Sequence, residues 1–447
     1  MGPPNLKAAQ MRGFRVSGAR AGQVSKQNGI RLTQHPPQRC NFLKSIAVWQ
    51  MAVSALRPCV KDALLSNCQH RMSSQFEGRN QVHKLTSLQA ARGLAALLVV
   101  AFHSIFINTK YLQSELIIPE LFVFGQTGVD LFFALSGFVM IIAFRKKFGL
   151  RGETLNFLKG RFLRIYPTYW VYFLAVLLVF IIRPELVNNS QSGHSNILSS
   201  FLLLPEESAP LVMVAWSLTH EIWFYLVFAL ILKLPVQYVS AALLVWLLAI
   251  VFASFFMTTT GAPYLRIITH EFSIEFILGA LSGVAYLKLA QRGLKTIPPV
   301  LLAAVGMSSL LYAFFDKTVG NADVIQAISL KRAFLVGGGY ALLLLACALQ
   351  EVISKKHAPR LLAFIGDISY SMYLSHILTL SVCGRIWSML GYSNGGLWSA
   401  ILFWTISYSA VILVSFISYQ LVERRVMQVS RRARRPLPRS LENANTL

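Results

Sequence analysis

The chain contains repeated apolar segments of about 18–22 residues, the length that a helix needs to cross a bilayer. Because the bilayer core offers backbone amides no water, such segments cross it as helices whose hydrogen bonds are internal. Of all residues, 55% are hydrophobic and only 13% are charged, which excludes an ordinary soluble protein. The sequence therefore predicts an all-α, polytopic integral membrane protein. We expect about ten transmembrane helices, at 88–107, 128–144, 166–183, 213–232, 236–257, 270–287, 298–315, 333–350, 370–390 and 398–421.

Lysine and arginine are concentrated in alternate loops, with seven of them between residues 145 and 165. By the positive-inside rule these loops are cytoplasmic, and an even number of spans then makes both termini cytoplasmic. The longest loop on the other side, 184–212, is polar, and we interpret it as a solvated loop or as a surface for an extracytoplasmic partner. The net charge of +24 is explained by topology and by attraction to anionic membrane lipids. We therefore expect membrane lipids, and no nucleic acid, among the partners.

The first 84 residues differ in character from the remainder. Up to residue 83 they hold twelve Lys or Arg against Asp62 and Glu77, and they contain no apolar run long enough to span. This composition is typical of an organelle transit peptide, and a true start at Met72 is an alternative. The sequence predicts three parts: a basic, disordered extension at 1–84, a transmembrane domain at 85–425 and a basic cytoplasmic tail at 426–447. The five cysteines have no metal-ligand spacing and no even pairing, so we expect neither a structural metal nor a disulfide framework.

Arg92 and His103 lie eleven residues apart inside the first apolar segment. Eleven residues are close to three helical turns, so both side chains share a face and lie about 16 Å apart along the axis. Ionisable groups are costly inside a membrane and usually face a cavity or a ligand. The pair indicates a tunnel for a long ligand with an anionic head near Arg92. The alternative for His103 is a simple hydrogen bond to a neighbouring helix.

Other predicted spans contain acids and further histidines, among them His220 and His376. A histidine with a carboxylate partner is a typical general base, which takes a proton from a hydroxyl. We therefore propose His103, Glu221 and Asp130 as catalytic residues, and His376 and Glu275 as substrate-binding residues. Structural alternatives stay open: His376 could bond a neighbouring helix, and Glu221 or Glu275 could pair with an arginine. Asp130, expected near the membrane surface, could serve only as a helix-start residue.

Arg161 and Arg164 are three apart at the start of the third span, so they project from one side of a helix. With Arg92 they form a basic rim at the inner mouth of the predicted tunnel. Phosphate groups are natural ligands for such a cluster. Anchoring to lipid headgroups is the alternative, and it explains the neighbouring lysines better than it explains this spaced pair.

Six segments together resemble the acyltransferase-3 family of bacterial membrane O-acyltransferases. They occur in the order found in that family and cover about residues 85–425. The first two are most similar to members that acetylate exopolysaccharide. The segments are LQAARGLAALLVVAFH, GVDLFFALSGFVM, RFLRIYPTYW, WSLTHEIWFYLVF, EFSIEFILG and ISYSMYLSH.

The resemblance implies transfer of an acyl group, commonly acetyl from acetyl-CoA, to a hydroxyl of a surface polysaccharide or lipid-linked glycan at the bacterial inner membrane. Arg92 and His103 match the essential pair of the family, Arg161 and Arg164 match its second basic motif, and Glu221 matches the acid of the fourth span. A glycolipid transporter or flippase is the alternative, although the chain lacks the internal repeats that many transporters have. A non-catalytic membrane scaffold is a third reading.

Overall fold

The computed structural model describes residues 85–112, 119–187, 196–256, 262–291, 297–319, 329–393 and 395–433. These residues belong to one compact unit, His83–Leu447. Across those ranges the regular structure is helical, without a β-strand, in agreement with the all-α prediction. The predicted extension at 1–84 lies outside the described residues, as does the tail beyond residue 433.

Ten apolar helices account for the predicted spans. Most of their residues are aliphatic or aromatic, and several helices are apolar around their whole circumference, as expected of helices in lipid. They are α1 Thr86–Tyr111, α2 Gly128–Phe144, α3 Glu153–Ile182, α4 Trp216–Ile231, α5 Val239–Phe256, α6 Phe272–Gln291, α7 Pro299–Phe315, α8 Gly338–Ser354, α9 Arg360–Met389 and α10 Gly396–Ser418.

Nine stretches in the described ranges are long and apolar enough to cross a membrane, most of them including short helical extensions of these helices. The remaining helix, α7, has 17 residues and falls below that length. At about 1.5 Å per residue it reaches roughly 25 Å, less than the roughly 30 Å hydrocarbon core. The expectation of about ten spans therefore holds for the number of apolar helices, with one of them shorter than a full crossing.

Two helices begin well before the predicted spans. α3 starts at Glu153 rather than near 166, and α9 starts at Arg360 rather than near 370. Polar and charged residues in these first turns hide the helical continuation from a hydropathy reading. Arg161 and Arg164 consequently lie on a continuous helix, and a large part of the segment read as a cytoplasmic loop is helical.

Glycines allow two pairs of helices to cross in backbone contact. A Cβ on Gly279 of α6 would lie 1.8 Å from the carbonyl oxygen of Ala134 on α2. A Cβ on Gly366 of α9 would lie 1.8 Å from the carbonyl oxygen of Gln89 on α1. The small residues thus permit the close helix packing that is common in membranes. The second crossing sets the first turns of α1, which carry Arg92, directly beside α9.

The segment before α4 packs against α3 instead of extending freely. Its short helix Ile197–Leu202 presents backbone carbonyls to aromatic side chains of α3. Tyr169 Oη donates to Ser200 O at 2.5 Å, and Trp170 Nε1 donates to Phe201 O at 3.2 Å. Leu211 in the same segment is buried. The part of the predicted outer loop from residue 196 onward is therefore a packed element, and the earlier residues 188–195 lie outside the described ranges.

Candidate active site

A cavity of about 340 Å³ lies between α1, α2, α3, α4 and α9. This volume is within the range of small-molecule sites. Along α2 its lining extends from Met140 to Val129, which corresponds to about 16 Å of helix. The cavity is therefore elongated along the helices, and it can hold a long ligand.

Three arginines line the cavity: Arg92 from α1, and Arg161 and Arg164 from α3. The Arg161 guanidinium lies 5.5 Å from the ring centres of both Phe157 and Tyr225, so cation–π contacts hold it in place. Arg92 and Arg164 lie close enough to interact electrostatically with each other. The structure thus brings together the three residues that the sequence grouped as a basic cluster. Their role as ligands of a phosphorylated donor stays a prediction.

Glu221 also lines the cavity and belongs to its basic end. Tyr225 Oη donates a hydrogen bond to the carboxylate, and Ser136 Oγ donates a second one at 3.4 Å. Both Arg92 and Arg164 interact with it electrostatically. We expected a carboxylate partner for His103, whereas the hydrogen bonds of Glu221 join it to Tyr225 and Ser136.

His103 pairs with His376 of α9. His103 Nδ1 lies 2.9 Å from Val99 O and 3.3 Å from His376 Nε2, and His376 Nδ1 lies 3.1 Å from Met372 O. A carbonyl only accepts, so His376 Nδ1–H donates to Met372 O and His103 Nδ1–H donates to Val99 O. His376 Nε2 is then a second, longer acceptor for the same His103 Nδ1–H. His103 Nε2 then carries a lone pair, and among the described residues no side chain or backbone group bonds to it. This arrangement leaves a basic nitrogen on a partly exposed ring.

Tyr373 separates the cavity from the histidine pair. It is the last residue of α9 in the cavity lining, and His376 follows it after three residues, with ring centres 6.0 Å apart. Tyr373 Oη donates to Val214 O at 2.9 Å and shares a 2.6 Å hydrogen bond with Ser217 Oγ. His103 is not among the lining residues. The lining of this cavity along α9 therefore ends at Tyr373, one helical turn before His376, and a continuous tunnel from Arg92 to His103 stays a prediction.

Asp130 and Glu275 belong to a different cluster and do not line the cavity. Asp130 is completely buried in the first turn of α2, so its side chain faces the protein interior, while its predicted depth near the outer membrane surface stays a prediction. Arg332 binds both of its oxygens, with Nε at 3.0 Å from Oδ1 and Nη2 at 2.8 Å from Oδ2, and also donates to Gln126. Glu275 is equally buried and interacts with both Asp130 and Arg332. The arrangement favours the arginine-partner alternative for Glu275, and it gives Asp130 an arginine partner in place of the helix-start role considered from sequence. The predicted catalytic role of Asp130 and the substrate-binding role of Glu275 stay predictions.

The sequence model of the family described as an acyltransferase domain matches residues 85–420 and contains the cavity and the histidine pair. The chain belongs to the acyltransferase-3 family. It is accordingly an acyltransferase, of the kind that transfers groups other than aminoacyl groups.

Three relatives show what this acyltransferase is similar to. It is 28% identical to the exopolysaccharide production protein ExoZ of Rhizobium meliloti, over 70% of this chain and 93% of that protein. It is 27% identical to the acyltransferase MdmB of Streptomyces mycarofaciens, over 70% of this chain and 84% of that protein. It is 25% identical to the putative acetyltransferase ORF330 of Acidianus two-tailed virus, over 67% and 84% of the two chains. No solved structure is a significant match.

Glu423 is a residue of this acyltransferase that the sequence analysis did not single out. It is 3% exposed and accepts a 3.0 Å hydrogen bond from Ser371 Oγ of α9. It interacts electrostatically with Arg92 and with Arg164, so it belongs to the basic end of the site. The only signal in the sequence is its negative charge, since Glu423 is an acid between the last apolar span and a run of arginines.

Proposed function

We propose that this acyltransferase moves an acetyl group from acetyl-CoA to a hydroxyl of a surface polysaccharide or of a lipid-linked glycan at the bacterial inner membrane. One observation carries the proposal: three arginines line an elongated cavity whose far end lies one helical turn from His376, and His376 bonds to His103, whose Nε2 is a free basic nitrogen. The acceptor class and the acetyl group are supported by relatives named for exopolysaccharide production and for acetyl transfer.

The donor would bind with its phosphates at Arg92, Arg161 and Arg164, since a guanidinium group matches phosphate oxygens in geometry and charge. The extended arm would follow the apolar wall of the cavity along α2. On the positive-inside assignment, this basic end faces the cytoplasm, where acyl-CoA is available. The thioester would then lie near Tyr373, below the histidine pair.

His103 would act as the general base. Its Nε2 accepts the proton of the acceptor hydroxyl while the hydroxyl oxygen attacks the thioester carbonyl carbon. The tetrahedral intermediate then collapses with cleavage of the carbon–sulfur bond, and the leaving thiolate takes the proton from the imidazolium. We assign His376 to positioning of the His103 ring, in place of the substrate contact predicted from sequence. Glu221 would contribute at the donor end through its contacts with Tyr225 and the arginines.

Purified protein with radiolabelled acetyl-CoA and isolated surface glycan tests the proposal. Replacement of the base in His103→Ala should lower kcat by about 10²–10⁴-fold. Arg92→Ala should mainly raise KM for acetyl-CoA, because it removes a donor contact remote from the reacting atoms. Unchanged turnover in a folded His103→Ala protein would reject His103 as the base.

Mass spectrometry of surface glycans tests the acceptor. Cells that lack the protein should lose an acetyl increment from one glycan, and the wild-type protein should restore it while His103→Ala does not. An identical glycan profile in both strains would contradict a polysaccharide acceptor. Movement of glycolipid across the membrane without consumption of acetyl-CoA would support the transporter alternative.

A further inference from the structure

The helical segment that follows α10 changes geometry just before Glu423, which belongs to the basic end of the site. After α10 ends at Ser418, residues Tyr419–Glu423 form a π-helix, and a regular helix continues at Arg424. Such wide turns are rare, occur mostly as single turns inside α-helices and are frequent at functional sites. This turn packs against α3 and α9, and it ends on the buried carboxylate of Glu423.

Ser371 of α9 holds the Glu423 carboxylate from the neighbouring helix. Its hydroxyl is completely buried and donates to Glu423 Oε2 at 3.0 Å. The neighbouring residue of α9, Tyr370, lines the cavity. Glu423 is therefore held from two elements, and its position is determined next to the cavity wall.

Glu423 acts on Arg92 and Arg164 through space. In the part of the chain that the structure describes, neither arginine forms a close ion pair or a hydrogen bond with a carboxylate, although both interact electrostatically with Glu423 and Glu221. A direct bidentate pair would occupy guanidinium N–H groups that a phosphate needs. A carboxylate anchored elsewhere reduces the repulsion between the two cations and leaves those donors available.

We propose that Glu423 is the resident counter-charge of the donor site, which lowers the affinity for the phosphates of coenzyme A so that the spent product is released. This inference rests on the proposed function. Three guanidinium groups and one carboxylate, Glu221, line the described cavity. Glu423 adds a second, buried carboxylate from the turn that packs against α3 and α9, and an arriving phosphate group takes over the role that Glu423 has in the free protein. Because the two anions repel each other across a partly buried site, removal of one strengthens binding of the other.

Binding of coenzyme A to the full-length purified protein, measured by calorimetry, tests the proposal together with product inhibition. In Glu423→Gln the amide oxygen still accepts from Ser371, but the charge is gone. We expect Kd for coenzyme A, and its inhibition constant in the transfer assay, to fall about tenfold, which is the size of one charge interaction in such a site. An unchanged or higher Kd in a folded Glu423→Gln protein would overturn the proposal.

Ser371→Ala should change the affinity in the opposite direction. It keeps every charge but frees the carboxylate to approach the arginines and compete with phosphate, so Kd should rise. Ser375→Ala is the matched control, because it removes a hydroxyl of α9 that bonds Ser415 of α10 and does not touch Glu423. A folding defect cannot produce the two opposite shifts.

Two further results separate this proposal from the proposed function. If Glu423→Gln does not fold, Ser371→Ala alone tests the proposal. A Kd for coenzyme A in Ser371→Ala equal to that in the Ser375→Ala control would then overturn the role of Glu423 as a counter-charge. If the wild-type protein neither binds coenzyme A nor uses acetyl-CoA, the proposed function itself fails, and this inference fails with it. Normal binding by the wild type with no effect of Glu423→Gln overturns this inference alone.

Discussion

His103 and His376 lie 273 positions apart in the chain and share one hydrogen bond between α1 and α9. The pair has a direction, because the backbone carbonyl of Met372 fixes the proton of His376 and thereby the proton of His103. In many catalytic sites a carboxylate orients the basic histidine. Here a neutral ring does so, and it brings no negative charge into the membrane interior.

Substitution of His376 should reveal this positioning role. Leucine removes the side-chain acceptor of His103 Nδ1–H and leaves only the Val99 carbonyl, so the ring is held less firmly. We therefore expect His376→Leu to lower kcat by about 10–100-fold, as for other outer partners of functional histidines. His376→Gln offers an amide oxygen as acceptor and should recover part of the loss. KM for acetyl-CoA should stay constant in both variants. A selective rise in KM for the acceptor would instead support the substrate-binding role predicted from sequence.

Asp130 and Arg332 give a second prediction for single residues. Removal of one partner leaves the other charge buried and uncompensated, so Arg332→Met should reduce the free energy of unfolding by about 3–5 kcal/mol. Thermal unfolding in detergent measures the loss. The double variant Arg332→Met with Asp130→Leu should recover much of it, because no isolated charge remains. Equal stability of Arg332→Met and wild type would contradict a structural ion pair.

For single residues, the sequence predicts which side chains belong to a site better than it predicts which side chains bond to each other. Arg92, Arg161 and Arg164 were grouped correctly because they lie at corresponding ends of helices that run in known directions. The partner of Asp130 was not predictable, since Arg332 stands just before the expected span 333–350 and had no sign of burial. The His103–His376 bond depends on helix rotation and contact, which hydropathy does not encode.

The helices owe their arrangement to small residues at the crossings. Gly366 allows α9 to contact α1 at Gln89, one turn before Arg92. The predicted spans identified the apolar cores of these helices correctly, because about 20 apolar residues in sequence are a strong signal. The polar first turns of α3 and α9 are not predicted because their charged residues lower the local hydropathy below that of a span. The π-helix at Tyr419–Glu423 is not predicted because a wider helical turn leaves the hydropathy unchanged.

An added methyl group at the α1–α9 crossing should affect the donor site. In Gly366→Ala the new Cβ meets a backbone oxygen that cannot rotate away, so the helices must separate, and we expect a loss of about 1–3 kcal/mol in stability. The affinity for coenzyme A should fall, because Arg92 moves relative to α3. Gly338→Ala is the control, since its new Cβ would lie 3.9 Å from the nearest atom, on Leu278. Equal calorimetric affinity in the two variants would contradict the link between this crossing and the site.

Within the unit His83–Leu447, lysine and arginine are concentrated in alternate loops, and hence at one end of the helices. Loop charge predicts that this end is cytoplasmic, and α3 runs between exposed positions at Arg151 and Glu185. In a background without native cysteines, Glu185→Cys should react with a membrane-impermeant maleimide in intact cells. Arg151→Cys should react only after the membrane is permeabilised. The reverse pattern would invert the topology and place the basic end outside the cell.

Tyr373 has a consequence for how the two substrates meet. Its hydroxyl is tied to the segment before α4 by Val214 O and Ser217, and its ring stands between the arginine-lined chamber and the imidazoles. On the proposed function, a thioester held on the arginine side of Tyr373 would meet His103 only after that ring moves, and water at His103 would until then have no access to the thioester carbon.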